Sequence, residues 1–226
     1  YKDYKVLPYS WAASTPLSNF EANMDYRDVE DPSIFFKLKA RNDFNDIKKG
    51  DYFLVWTTTP WCIPANLAIA VGRDINYSRV KIDSQYYWIA TERLHELDNY
   101  DYSIQSSCDG ENMIGGEYIP AYSEFEKENI GKAFKLIHSD DTNTASGSGL
   151  VSQAPSYGES DFYCLKNAGI TVIVDPVTLA GKFDQSVAGL EDLNVKDADN
   201  VIIKQLDERG LLFSSKREMH SYPFCW

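Results

Sequence analysis

The chain of 226 residues is short of basic groups, cysteines and long apolar runs, and each shortage removes a class of function. Lys and Arg number 22 against 34 Asp and Glu, a formal charge of -12. A broad phosphate-binding face is therefore disfavoured, because nonspecific nucleic-acid affinity comes from clustered positive charge. A pocket that takes only the end of a nucleic acid is compatible with this balance. The four cysteines, Cys62, Cys108, Cys164 and Cys225, are far apart and form no CxxC pair. That spacing suits neither a structural zinc site nor a small disulfide scaffold, and they read as reduced thiols of a cytoplasmic protein. One sequon, Asn76-Tyr77-Ser78, occurs without a secretory context. No apolar stretch reaches membrane-spanning length, and "YKDYKVLPYSW" has no signal-peptide core. His95, His138 and His220 make no HExxH or HxE pattern, so metal-dependent hydrolysis is disfavoured and no metal site is expected. The first residue is Tyr and the chain stops at "HSYPFCW", so it is expected to be a piece of something longer.

What is present is a sequence rich in strand formers. Hydrophobic residues make up 43%, enough for one large domain with a full core. Residues 1–35 mix Pro, Ser, Asn and aromatics without a steady period and read as an irregular lead-in. "SIFFKLKA", "DYFLVWTT" and "NLAIAV" then read as strands, and "YSRVKID" and "YYWIAT" as a hairpin about Asp83-Ser84-Gln85. "ATERLHELDN" is a short helix candidate that Thr91 can cap, "YSIQSSCDGENMIGGEYIPAY" a loop or short strands, and "KAFKLIH" a strand. The stretch 139–149 is polar and turn-rich. "ESDFYCLKNAG" reads as a helix closed by Gly169 and "ITVIV" as a strand. In "NVKDADNVIIKQLDERG", Val195, Ala198, Val201, Ile202 and Leu206 recur at helical spacing before Gly210. "LLFSSKREMHSYPFCW" is a strand with an exit segment. Strands outnumber helices and do not alternate as βαβ units, so the expected fold is mainly β with α, a closed β-barrel core decorated with helices.

Two segments could carry chemistry. "WTTTPWCIPANLAIAV" places Thr57, Thr58 and Thr59 beside Pro60 and Trp61 between apolar strands. It reads either as a strand end with a proline turn, or as a lip of hydroxyls and freed N–H groups holding water or a ribose next to an indole wall. "GSGLVSQAPSYGESDFY" spells GxGxxS before Pro155, which suits no Rossmann loop, and no GxSxG elbow occurs. It puts Asp161 in the first turn of a helix, where an acid serves either the helix dipole or, at a pocket mouth, an amino-acid ammonium.

These segments together resemble the editing domain of isoleucyl-tRNA synthetase. "WTTTPWCIPANLAIAV" is similar to that family's WTTTPWTLPANLA; "STPLSNFEAN", "GSGLVSQAPSYGESDFY" and "HSYPFCW" are similar to its TPLSNFE, GTG(V/I)VHxAPxxGxxD and YPxCW segments, in the same order. Valyl and leucyl editing domains typically carry Thr-Thr-Arg-Pro followed by an acid, where this chain has Thr58-Thr59-Pro60-Trp61, which favours the isoleucyl branch. The lead-in and exit suggest the cytosolic eukaryotic type. The resemblance implies one editing domain over 1–226, with 1–35 and 214–226 connecting it to the catalytic body. It implies hydrolysis of Val-tRNA(Ile) and of valyl-adenylate, with the tRNA(Ile) acceptor end and the rest of the synthetase chain as partners and no membrane. The fragment is expected to be monomeric and to hold no cofactor, ATP and Mg being used by the synthetic domain outside it. One missing methylene supplies a hydrophobic pocket with only about 1–3 kcal/mol of discrimination, the reason such enzymes need a second, hydrolytic sieve, and this family is the principle's own example.

By the same resemblance Asp161 matches the aspartate that binds the α-ammonium, and Thr57, Thr58 and Thr59 the threonines around the terminal adenosine and the attacking water. Trp61 matches the wall tryptophan and Asn66 the Asn of the PAN triplet; Tyr222 enters through the exit segment. Two positions depart from the pattern. Ser152 stands where the family has a histidine lining the side-chain pocket, and Cys62 replaces a Thr of about its size. Loss of the imidazole implies a widened or weakened second sieve. The competing readings are an insert that keeps the fold for gripping tRNA or bracing the synthetase, and an unrelated acidic barrel that binds small amino compounds.

Overall fold

The computed structural model describes residues 4–22, 24–129 and 131–223. Strands β1 (Tyr9–Ser10) and β2 (Thr15–Pro16) form a small hairpin, followed by helix α1 (Asn19–Ala22). The main sheet uses β3 (Tyr26–Ala40), β4 (Tyr52–Thr57), β5 (Ala68–Val71), β6 (Asn76–Ile82), β7 (Gln85–Ala90), β8 (Tyr102–Asp109) and β9 (Tyr118–Ile119). After α2 (Glu126–Asn129) it adds β10 (Lys135–His138) and β11 (Leu150–Gln153). Helices α3 (Glu159–Asn167) and α4 (Val195–Glu208) precede the last strand, β12 (Leu212–Pro223). The strand order is β10-β5-β11-β4-β7-β6-β8, while β3 lies on the other side of β4 and carries β12 and β9.

The sheet curls into a half-barrel. Its remaining seam, between β9 and β10, is joined by the single bridge Glu117↔Lys135 and by backbone bonds from Tyr118 N to Phe134 O (3.0 Å) and from Leu136 N to Gly116 O (2.8 Å). β4 sits at the branch point. Trp56 near its end pairs with Val151 of β11, whereas Tyr52 and Phe53 pair with β7, so one strand serves both the curled wall and the flat wing β7-β6-β8.

The apolar runs of β3 and β4 are continuous because both sheet faces are covered. Ile34, Phe36, Leu38, Phe53 and Val55 point into the main core with Ile69, Trp88, Leu150 and Leu206, while the alternate residues Phe35 and Leu54 join Val80, Tyr87, Ile89 and Leu97 on the opposite face. Each such side chain, fully buried, contributes about 1.5–3 kcal/mol relative to exposure. Helix α4 turns Ala198, Ile202 and Leu206 to the main core, is capped by the Asn194 side chain, and ends at Gly210, whose φ of +66° only glycine adopts readily.

Three expectations are corrected. The lead-in is not irregular throughout, because β3 already begins at Tyr26 and pairs with β12 from Tyr26↔Pro223 onward, forming an exposed two-stranded ribbon. "ITVIV" is not a strand: Gly169 turns the chain, Ile170 N bonds back to Leu165 O, and the segment buries Ile170 and Val174 without joining a sheet edge. Thr91 does not cap a helix. Residues Thr91–Leu97 form a 3-10 turn with no side-chain cap, and the Thr91 hydroxyl instead donates to Asn76 Oδ1 at 2.7 Å. Cys225, in the exit segment, lies outside the described residues; Cys62, Cys108 and Cys164 are free thiols. Among the described residues no helix is long and apolar enough to cross a membrane.

Candidate functional site

The two singled-out segments meet at the end of β4. Thr57 is the last residue of that strand, buried and paired opposite Ile34, and the chain then turns through Thr59 into a 3-10 helix, Pro60–Ala65. The second segment supplies β11, which runs between β4 and β5, and then turns at Pro155 into α3. Its glycines are needed for close approach. Gly147 has φ +66° and a Cβ there would lie 2.6 Å from the Trp56 indole; at Gly149, φ +75°, a Cβ would lie 2.5 Å from that of Ala90.

Between the segments is a cleft of about 200 Å³ lined by Thr57, Thr59, Trp61, Ser152 and Asp161, five of the eight residues expected from the sequence, with Cys62, Ala154, Tyr157 and Gly158. Thr58, Asn66 and Tyr222 do not line it. The Thr57 hydroxyl lies 3.3 Å from that of Thr59 and accepts the Thr59 N–H at 3.1 Å, so the two hydroxyls form one polar edge. Trp61 and Tyr157 form the aromatic wall, ring centroids 4.7 Å apart. Asn66 is buried behind the cleft: its amide donates to Ala68 O (2.8 Å) and Ser152 Oγ (2.9 Å), and its oxygen accepts from Tyr118 OH at 2.5 Å. Ser152 Oγ therefore accepts from behind and keeps its own proton for the cleft. Tyr222, on β12, neighbours Thr58 and Asp31, with Lys196 Nζ 4.9 Å from its ring centroid, and so ties the ribbon to the threonine segment from outside the cleft.

The carboxylate is the electrostatic centre. Asp161 Oδ2 accepts the Ala154 N–H at 2.8 Å, and Oδ1 is 3.4 Å from Ser160 Oγ. Burial pushes its pKa above the ordinary value despite these hydrogen bonds, and among the described residues no cation pairs with it. A desolvated carboxylate with two donors and no counter-charge is suited to a small ammonium. Gly158 makes room for it, since a Cβ there would lie 2.8 Å from Asp161 Cγ. Cys62 offers no nucleophile: burial raises its thiol pKa strongly, with Asp161 and Asp199 opposing ionisation further, so it stays protonated. No three His, Cys, Asp or Glu side chains group as metal ligands among the described residues.

Sequence reasoning missed Tyr157, Gly158 and, outside the cleft, Asp199, which accepts the Trp61 N–H at 2.8 Å. The signal for Asp199 was available: it falls on the apolar stripe of α4 between Val195 and Ile202, where a carboxylate needs a partner.

A second, more open groove of about 630 Å³ adjoins the cleft and shares its Trp61 and Tyr157 walls, with Tyr9, Trp11 and Leu179 further along it.

No family model matches the chain. Among curated proteins it is 38% identical over 229 residues to the isoleucine–tRNA ligase of Protochlamydia amoebophila and 39% over 231 residues to that of Bdellovibrio bacteriovorus. It is 38% identical over 237 residues to the cytoplasmic isoleucine–tRNA ligase of Saccharomyces cerevisiae. All of this chain is covered in each case, but only 22%, 21% and 22% of the respective relatives, so the chain spans about a fifth of their length. Equal identity to bacterial and yeast proteins does not separate the bacterial from the eukaryotic type. Among solved structures, GlLeuRS-CP1 superposes with TM-score 0.64 at 12% identity, covering 80% of this chain and 96% of that one. The editing domain of P. knowlesi cytosolic leucyl-tRNA synthetase superposes with TM-score 0.63 at 10% identity, covering 86% and 97%. Matched from end to end by a segment of those ligases and folded as the leucyl editing domains are, the chain belongs to the isoleucine–tRNA ligase family and has the editing-domain fold of class I tRNA synthetases.

Proposed function

We propose that this chain is the editing domain of a cytoplasmic isoleucine–tRNA ligase and hydrolyses the ester of valine mischarged on tRNA(Ile), and valyl-adenylate by the same chemistry. The observation that carries the reading is Asp161, a half-buried carboxylate with no cation paired to it among the described residues, at the mouth of a cleft edged by the Thr57 and Thr59 hydroxyls.

In this reading Asp161 holds the α-ammonium by charge and hydrogen bonding, and the ester carbonyl is brought against the Thr57–Thr59 edge, whose hydroxyls orient the attacking water. Thr58 steadies that edge from the ribbon side. The cleft, about 200 Å³, is smaller than the roughly 300–1,000 Å³ that houses a whole drug-sized ligand, so it takes the aminoacyl group alone. The terminal adenosine then lies over Trp61, towards the adjoining groove. An ester is already activated, so proximity and charge placement suffice and neither a protein nucleophile nor a metal takes part. ATP and Mg serve the synthetic domain elsewhere in the ligase, to which the β3–β12 ribbon connects this domain. The charge of -12 leaves most tRNA binding to that body, and the isolated chain, a monomer, binds tRNA weakly.

A second reading, a domain that keeps the fold and grips the acceptor end without hydrolysis, rests on Ser152, which puts a small hydroxyl where the resembled family has an imidazole. The test is ester loss from Val-tRNA(Ile) and Ile-tRNA(Ile) with the isolated chain, with the intact ligase, and with Asp161→Ala in each. Selective loss of valine that disappears in the variant supports editing; an intact ligase that leaves both esters untouched supports the second reading.

A further inference from the structure

The 3-10 turn that carries Trp61 and Cys62 lacks the cap its sequence offers. Thr59 stands at the N-cap position, yet its side chain makes no capping bond. Its hydroxyl faces that of Thr57 at 3.3 Å and lines the cleft. Pro60 has no N–H, so the first free donor of the turn is Trp61 N–H, and an unpaired donor there would draw the Thr59 hydroxyl back towards it. The acceptor comes from 138 positions away: Asp199 Oδ1, on α4, takes the Trp61 N–H at 2.8 Å. Asp199 is 3% exposed. One turn earlier on the same helix, Lys196 pairs with Asp31 of β3 at 2.5 Å and lies over the Tyr222 ring of β12, which clamps α4 to both strands of the ribbon.

We propose that Asp199 is a positioning residue that caps the Trp61 turn from outside and thereby leaves the Thr59 hydroxyl to the cleft. The proposal rests on the reading of the cleft as the hydrolytic site only for its effect on rate; the capping contact stands apart from it. The groups facing Asp199 are Lys196 on its own helix, Asp31 on β3 and Cys62 on the turn. Burial raises the pKa of Asp199 to about 6, so its ionisation is within reach of a titration.

The experiment uses the chain labelled with 15N at tryptophan, the Trp61 amide assigned by Trp61→Phe, together with deacylation of Val-tRNA(Ile) by the intact ligase. The Trp61 amide resonance is expected to titrate with a midpoint near pH 6 in the wild type. It is expected to lose that titration but keep its hydrogen-bonded position in Asp199→Asn, and to move upfield in Asp199→Ala. In deacylation, Asp199→Ala is expected to lower kcat/KM about tenfold, Asp199→Asn to restore it, and Asp199→Ala to add nothing in a Thr59→Ala background, because both act through one hydroxyl. A wild-type Trp61 amide that does not shift when the Asp199 carboxylate ionises, or that Asp199→Ala leaves unmoved, overturns the proposal. So does an Asp199→Ala loss that persists undiminished beside Thr59→Ala. Should Asp199→Ala fail to fold, the wild-type titration and the Asn variant still decide. A wild-type ligase without deacylase activity would overturn the functional reading instead, and the amide resonance would then judge the cap alone.

Discussion

Gly158→Ala isolates the role of the Asp161 carboxylate without touching it. Gly158 is the N-cap of α3 at φ -128° and ψ 128°, extended backbone that alanine adopts without strain. The added methyl would lie 2.8 Å from Asp161 Cγ, 2.9 Å from Oδ1 and 3.1 Å from Oδ2. The first of these is about 0.6 Å inside ordinary van der Waals contact, so the carboxylate must swing away and release the Ala154 N–H, now at 2.8 Å. A displaced carboxylate also misses the substrate ammonium, and a hydrogen bond to a charged group is worth about 1.5–3 kcal/mol, which at 1.4 kcal/mol per tenfold predicts a loss of about 10- to 150-fold in kcat/KM for Val-tRNA(Ile). The fold loses the bond to the buried Ala154 N–H as well, about 1.5–3 kcal/mol of stability. Alanine is also a poorer N-cap than glycine by about 0.5–1 kcal/mol, and the two losses together lower Tm by about 4–16 °C in a chain of this size. The assay pairs single-turnover deacylation with thermal unfolding, and Asp161→Asn marks the floor. A Gly158→Ala enzyme with wild-type kcat/KM would refute the claim that the carboxylate must stand where the structure puts it.

Further outcomes follow from the same geometry. The folded chain holds a proton on Asp199 up to about pH 6 against an ordinary 3.8, so the associated stability is complete below about pH 3.8 and lost as pH rises through 6. Asp199→Asn lacks this step, and denaturant titrations of the two proteins at pH 4 and 7.5 should diverge in the variant's favour by up to about 3 kcal/mol; parallel curves would contradict it. Asn66→Ala leaves the buried Tyr118 hydroxyl without its acceptor and frees Ser152, a cost of about 2–4 kcal/mol that calorimetry should register as a Tm lower by roughly 5–15 °C. Ser152→His fills the cleft beside Asp161, and hydrolysis of Ile-tRNA(Ile) should fall relative to Val-tRNA(Ile); an unchanged ratio in a competition assay would show that this position does not set the sieve.

Much of this molecule was legible before its structure. The paired runs around Asp83-Ser84, the amphipathic α4 with its terminal Gly210, and the helix closed by Gly169 all follow from local periodicity and turn chemistry, which short-range sterics enforce wherever the chain goes. "ITVIV" shows the limit. Its β-branched residues suit a strand, but a strand needs a partner edge, and the turn at Gly169 sends the segment across the core where none is offered. The start of β3 was missed for the converse reason: residues 26–31 carry few apolar side chains, and their strand exists because β12, nearly 200 positions later, pairs with them.

The site divides in the same way. The threonine segment and the glycine-flanked segment with Asp161 were visible as sequence, because hydroxyls beside Pro60 and an acid behind Pro155 are chemically conspicuous. Only the folded chain decided that Thr57, Thr59, Trp61, Ser152 and Asp161 share one cleft while Thr58 and Tyr222 face the ribbon and Asn66 stands behind Ser152. Sequence alone determined which groups were available, since that is a matter of residue type and local geometry. Which of them meet, and that a carboxylate on α4 holds the turn bearing Trp61, depended on the curl of β4 between β11 and β3 and on a contact that spans 138 positions, whose partner no short stretch of the chain names.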